Sequence, residues 1–286
     1  MKKIIILVTI IVAGLFSACS EEKLGDSIFD TTERARNEFD KWLLYNYTYP
    51  YNIDFKYRME DIETDRTYSL VPATVENSKK LARIIKFLWL EPYDEIIGID
   101  FTRTYIPKII HLIGSPAYNN NGTIVLGTAE AGLKVTLYDV NKLSINAASL
   151  NDMYFKTMHH EFAHILHQTK LYDPEFARIS DRDYIGGNWN TRPLTDARQA
   201  GFVSQYAGNN PNEDFVETYS IFITRTPAEW SAIIASAGTA GAAIINQKFE
   251  IVVEYMRTKW GIDMYEMRDI MQRRAEELFL IDFDNL

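Results

Sequence analysis

The chain has 286 residues, 47% hydrophobic and 24% charged, the composition of a folded globular protein with room for one large or two small domains. Its net charge is −9 at pH 7 and its basic runs are no longer than pairs such as Arg273-Arg274, which argues against nucleic acid or an anionic bilayer as a partner. There is no internal repeat, no apolar stretch of membrane length beyond the N-terminus, and a single cysteine.

The N-terminus reads as a secretion leader. Lys2 and Lys3 precede an apolar core from Ile4 to Phe16, too short for an ordinary membrane span, and Ser17, Ala18 and Cys19 supply a small-residue cleavage site. The position of Cys19 resembles that of a bacterial lipoprotein signal, which implies a leader over 1–18, lipidation of Cys19 and a lipid anchor in the outer membrane. Phe16 stands where such signals usually carry Leu, Ile or Val. Several acyl chains on one cysteine give stable anchoring, and no thiol is then left for a disulfide. The acidic stretch Ser20-Glu21-Glu22 resembles the surface-export signal of Bacteroides-group lipoproteins, implying a position on the cell exterior.

Residues 19–29 read as a polar tether, and a domain is expected over 30–286. Asp30-Thr31-Thr32-Glu33 has the form of a helix start, and that helix is expected to reach about Tyr47, before Pro50. Ile53, Phe55, Tyr57 and Met59 alternate as a strand does. A helix over Glu76 to Glu91 would put Leu81, Ile84, Ile85, Leu88 and Trp89 on one face. Strands are expected at Ile106–Ile113, Thr123–Gly127 and Leu133–Asp139, with Asn119-Asn120-Asn121-Gly122 as a turn.

Asn151 or Asp152 would cap the next helix, which carries four of the five histidines within the run 159–167. Tyr172 to Ala207 shows no sustained period and reads as a long functional loop. Helix starts follow at Asn210-Pro211, at Thr226-Pro227-Ala228-Glu229 (a capping box) and at Asp263, with a break at Gly238 to Gly241 and a stop at Gly261. The fold class is α+β, with a sheet followed by the histidine helix and then four helices. That order resembles zincin proteases: an upper lobe over about 30–170 whose edge strand pairs with an extended substrate, an active-site helix, and a helical lower lobe over about 171–286.

The chemistry lies in His160-Glu161-Phe162-Ala163-His164. Residues four apart share a helix face, so His160 and His164 can bind one zinc ion while Glu161 serves as general base toward a water. Chance would produce this pattern in on the order of one in a hundred chains of this length. Catalytic zinc needs a third protein ligand. His167 lies two turns beyond His160, roughly 10 Å along the axis, too far to share an ion with it. Lys170 stands where the metzincin pattern requires histidine. His159 points about 100° off the ligand face, and His111 belongs to a predicted strand as a packing or surface residue.

Asn212-Glu213-Asp214-Phe215-Val216-Glu217 opens a predicted helix with two glutamates four apart. This resembles gluzincin metallopeptidases, whose third ligand is a helical glutamate followed four residues later by an acid. The resemblance implies Glu213 as ligand and Glu217 as the acid that holds the first histidine's other ring nitrogen. Tyr206, seven residues before Glu213, resembles a tyrosine of the anthrax lethal factor catalytic domain, and its hydroxyl would stabilise an oxyanion.

Leader and motifs together resemble the zinc metallohydrolase lipoproteins of Bacteroidetes that accompany outer-membrane substrate-import systems. The implied activity is zinc-dependent hydrolysis of a peptide or protein substrate, with an import complex as partner. The competing readings are a zinc hydrolase of a non-peptide amide and a weakly catalytic binding lipoprotein. In the latter, Trp42, Tyr45, Tyr47, Tyr49, Tyr51 and Tyr57 would stack on sugar rings or, alternatively, pack as a half-buried helix and strand.

Overall fold

The computed structural model describes residues 35–60, 63–118, 124–125, 127–130 and 133–283. The chain divides into Met1–Asn37 and Glu38–Leu286, and every element below belongs to the second unit. The leader, Cys19, the tether, the Asp30–Glu33 helix start and the Asn119–Gly122 turn lie outside the described residues. The architecture is α+β, mostly helical with a small sheet. Among the described residues no helix is long and apolar enough to cross a membrane.

Helix α1 begins at Glu38 (Glu38–Leu43), widens over Leu44–Thr48 and continues through Tyr49–Tyr51. It therefore runs past Pro50, where the sequence pointed to a stop before it. The wide turn places Pro50 in the first positions of the following helical segment, where a missing N–H is tolerated. Asn52, with φ 55°, then ends the helix, and the N–H of Ile53 reaches back to the Tyr47 carbonyl at 3.2 Å. Tyr47, Tyr51 and Tyr57 are buried, whereas Tyr45 and Tyr49 form an exposed edge-to-face pair. The aromatic run is thus mainly core and not one stacking surface.

Helix α2 (Val75–Ile85, continuing over Lys86–Leu90 and Glu91–Ile97) starts at a Thr74 cap. It extends one to two turns beyond the predicted end, and Pro92 again falls in the first positions of a segment after a wide turn. Its predicted face, Leu81, Ile84, Ile85, Leu88 and Trp89, is buried throughout. Helix α3 (Ile99–Tyr105) has no counterpart in the sequence reading. Its aromatic residues fit a strand as well, and tertiary packing decides: Phe101 and Tyr105, four apart, both meet Trp260 edge-on.

The sheet has the order β1-β2-β6-β5, from β1 (Asp54–Lys56), β2 (Ile109–Leu112), β5 (Gly127–Glu130) and β6 (Lys134–Leu137). β1, β2 and β6 are parallel, and β5 pairs antiparallel with β6 as an edge. β3 (Ala117–Tyr118) and β4 (Ile124–Val125) form a separate antiparallel pair. The predicted strands are all present but shorter. β5 lies against the histidine helix so closely that a Cβ on Gly127 would sit 3.0 Å from the Thr157 methyl.

Helix α4 (Lys156–Thr169) is the last part of a helical run that includes Ala147–Leu150 and Asn151–Phe155. Its cap is Asn146, which accepts from Ser149 N–H, and not Asn151 or Asp152. Those two residues serve tertiary contacts instead: Asn151 donates to the Thr224 carbonyl at 3.0 Å, and Asp152 pairs with Arg225 at 2.5 Å.

The predicted loop 172–207 contains short helices at Glu175–Ile179 and Leu194–Gln199 and tight turns at Gly186–Thr191 and Tyr206–Gly208. No period announces them because contacts between turns hold them, such as Ile185 N–H to the Gly208 carbonyl at 2.9 Å. Helices α5 (Pro211–Thr224), α6 (Pro227–Ser236), α7 (Gly238–Tyr255) and α8 (Met264–Glu276) follow, with Asn210, the Thr226–Glu229 capping box and Asp263 as predicted caps. Gly241 lets α7 press on the Leu194–Gln199 turn, since a Cβ there would meet the Arg198 carbonyl oxygen at 2.3 Å.

One fully buried ion pair locks this half of the chain. Lys248 on α7 reaches Asp214 on α5 at 2.6 Å and the Gly201 carbonyl at 3.0 Å, and Tyr184 donates to the same carboxylate at 2.9 Å. Burial works against both charges, raising Asp214 and lowering Lys248. Lys248→Met leaves that carboxylate without its cation and is expected to destabilise the fold by about 3–5 kcal/mol. Urea unfolding measures it, and adding Asp214→Leu should recover much of the loss.

Candidate metal centre

Helices α4 and α5 run antiparallel: His164 lies beside Glu213, His160 beside Glu217 and Asp152 beside Arg225. The residues of the seam repeat every fourth position, at 152, 156, 160 and 164 along the helical run that ends in α4, and at 213, 217, 221 and 225 along α5 and its C-terminal cap. Two i, i+4 ladders therefore face each other across one seam.

At one end of the seam three donor atoms converge. Glu213 Oε2 lies 3.0 Å from His160 Nε2 and 3.3 Å from His164 Nε2, and the three atoms lie within 4.8 Å of one another. Two imidazoles and a carboxylate are a three-ligand set known from catalytic zinc sites. Ligand atoms bonded at about 2.0–2.1 Å in a tetrahedron stand about 3.3 Å apart, close to the spacings found here. The residues fit a zinc ion.

Glu217 governs the orientation of His160. Its carboxylate is fully buried and accepts from His160 Nδ1 at 2.8 Å and from Ser204 Oγ at 2.6 Å, and it pairs with Lys156. With Nδ1–H committed to Glu217, Nε2 faces the donor cluster, and a metal that displaced its proton would find the lone pair aimed there. Ser204 in turn accepts from Ala207 N–H at 3.1 Å, which ties the turn bearing Tyr206 to the same carboxylate.

The electrostatics favour a cation. Burial opposes charge on His160, but its hydrogen bonds to Glu213 and Glu217 outweigh it and lift the ring to about 9. Burial also opposes charge on Glu213, yet the two histidines hold it down at about 2. Glu217 is likewise held well below the usual carboxylate range, with Lys156 and His160 overcoming burial. His167 sits behind His164, Nε2 to Nδ1 at 3.0 Å, and burial and the neighbouring His164 push it down to about 4. His159 faces the core, bonded through Nδ1 to the Tyr93 hydroxyl at 2.8 Å, and burial drives it down to about 3. His111 is buried in β2.

Glu161 and Tyr206 both line a cleft of about 920 Å³ that contains His160 and Trp189 and reaches Gly127 at the start of β5. Burial raises Glu161, partly offset by His160 and His164. The Tyr206 ring lies 5.7 Å from that of His160 and packs edge-on against Trp189 at 5.0 Å. Burial and then Glu213, Glu161 and Glu217 push its hydroxyl up to about 12, so it keeps its proton at neutral pH. The structure thus gathers His160, Glu161, His164, Tyr206, Glu213 and Glu217 in one region.

Residues 32–265 match the family described as "Putative zinc-binding metallo-peptidase". The chain belongs to this family. A crystal structure of a Bacteroides caccae protein, described as "a putative zinc-binding metallo-peptidase", superposes on it with a TM-score of 0.79 and 49% sequence identity. The match covers 91% of this chain and 99% of that one. Among curated proteins none matches.

For this member of the zinc-binding metallopeptidase family, sequence reasoning missed Lys156, Ser204 and Trp189. Lys156 stands one turn before His160, and that spacing was the available signal. Ser204 and Trp189 reach the site through irregular backbone and gave none. Glu217→Gln keeps the side-chain shape but removes the charge that Lys156 and His160 share. It is expected to weaken zinc binding by about 10–100-fold, measured by competition with a chelating dye. Unchanged affinity would show that Glu217 does not support the centre.

Proposed function

We propose that the protein is a zinc-dependent peptidase of the gluzincin type, zincin-like in architecture, that hydrolyses peptide bonds. The reading is carried by the convergence of His160, His164 and Glu213, with His160 and its neighbour Glu161 lining the cleft. When bound, zinc supplies a Lewis acid that polarises a carbonyl group and acidifies water. His160, His164 and Glu213 hold it, and Glu217 fixes the His160 ring.

Glu161 takes the proton of the attacking water and passes it to the leaving amine nitrogen. The Tyr206 hydroxyl donates a hydrogen bond to the substrate oxygen as that oxygen gains charge. Support for an extended peptide as substrate comes from β5, an edge strand among the described residues whose first residue lines the cleft.

The leader supports a location to match: an outer-membrane lipoprotein anchored at Cys19, facing the cell exterior and working beside an import complex. Cys19→Ser is expected to leave the leader uncleaved at this site or to release a soluble form, seen by membrane fractionation. Unchanged fractionation would refute the anchor.

Glu161→Gln is nearly isosteric and removes no zinc ligand, so one zinc per chain should remain. Hydrolysis should fall by about 10²–10⁴-fold, the contribution of a positioned general base. Metal analysis paired with a peptide-library cleavage assay checks both halves. A variant that retains full activity would exclude Glu161 as the base.

A further inference from the structure

Beyond His160 and Glu161 the cleft continues between the short Leu194–Gln199 helix, α5 and α6, where Leu194, Val203, Ile221 and Ile233 form apolar walls. Three cationic side chains line it: Lys156, Arg198 and Arg225. Lys156 is paired with Glu217, and Arg225 with Asp152 at 2.5 Å and Glu229 at 3.7 Å. The remaining acid of the lining, Glu161, stands at the metal centre.

Arg198 differs from the other two cations. Its hydrogen bond is to an uncharged group, from one terminal nitrogen to Ser236 Oγ at 2.9 Å, while its Nε is buried without a partner. No carboxylate pairs with it among the described residues. Burial lowers its pKa, the mark of a cation whose environment does not compensate it. A guanidinium carries five donors in a planar fork that matches a carboxylate, and it stays charged at any physiological pH. Arg198 is half-buried, so its fork is open to the cleft, and a ligand carboxylate there would take up donors that no carboxylate of the described residues holds.

We propose that Arg198 is a specificity-determining residue that anchors a substrate carboxylate in the cleft. The preferred peptides then carry an acidic side chain, or a free C-terminus, at a fixed distance from the scissile bond. This rests on the peptidase reading above and narrows its substrate class. The short Leu194–Gln199 helix that presents Arg198 seats closely on α7, where a Cβ on Gly241 would meet the Arg198 carbonyl oxygen at 2.3 Å.

The test separates recognition from chemistry. A displayed peptide library is selected for binding to the Glu161→Gln protein and to the same protein carrying Arg198→Gln or Arg198→Lys. Selected peptides should be enriched in Asp or Glu at one position, or should require a free C-terminus. Resynthesis with Gln for Glu, and with a C-terminal amide, distinguishes the two carboxylate sources. Arg198→Gln should weaken the carboxylate peptides about 10- to 100-fold, with neutral peptides unaffected and Arg198→Lys falling between.

No selectable peptide, equal affinity for acidic and Gln-substituted amidated peptides, or an Arg198→Gln effect equal on all peptides would overturn the proposal. Wild-type protein is then assayed for cleavage of the selected peptides. Carboxylate-selective binding without any cleavage would sink the peptidase reading and leave the subsite standing, whereas cleavage with no carboxylate preference would do the opposite.

Discussion

The Glu217 carboxylate is the constraint on which the rest of the site depends. A buried carboxylate is strongly unfavourable unless its charge and lone pairs are met. Here one side chain on α5 is met by His160 and Lys156 from α4 and by Ser204 from the irregular segment before α5. Three separate stretches of chain therefore have to be in register for it to be buried at all. The same arrangement sets the His160 tautomer and seats the turn that carries Tyr206. Folding and site assembly share one interaction.

Around that carboxylate the antiparallel helices set a sequence of layers along the seam. The His160–His164–Glu213 donors form the first, Glu217 with Lys156 the second, and the Asp152–Arg225 pair closes the far end. Ile221 lies in the seam between the last two and gives the cleft an apolar wall. A four-residue step on both helices is enough to generate this order, because each turn of one helix meets one turn of the other. The Lys248–Asp214 pair, one residue from Glu213, holds α5 from the opposite side. The helix bearing the third donor is thus clamped on two faces by buried charge, which limits how far Glu213 can move relative to the two histidines.

What the sequence made legible was local. The spacing of His160 and His164, the Glu213–Glu217 step and the caps at Asn210, Thr226 and Asp263 each lie within one or two turns, where side-chain periodicity and capping chemistry act directly. The two helix ends set too early have one cause: Pro50, read as a stop, and Pro92, just past the expected end at Glu91, each follow a wide turn that moves the proline to a tolerated position, and nothing in the sequence marks such a turn. Asn151 and Asp152 look like caps and are instead spent on α5 and Arg225, a choice only the folded chain can make. Ser204, Trp189 and Arg198 lie in a segment without a period, where long-range contacts decide each conformation.

If His160, His164 and Glu213 form one metal centre, crystals of the zinc-loaded protein measured on both sides of the zinc absorption edge should show it. A single anomalous peak is expected within bonding distance of His160 Nε2, His164 Nε2 and a Glu213 carboxylate oxygen, with Glu217 still on His160 Nδ1. A peak coordinated by His167 or Glu217 in place of Glu213, or no peak between the two helices, would contradict it.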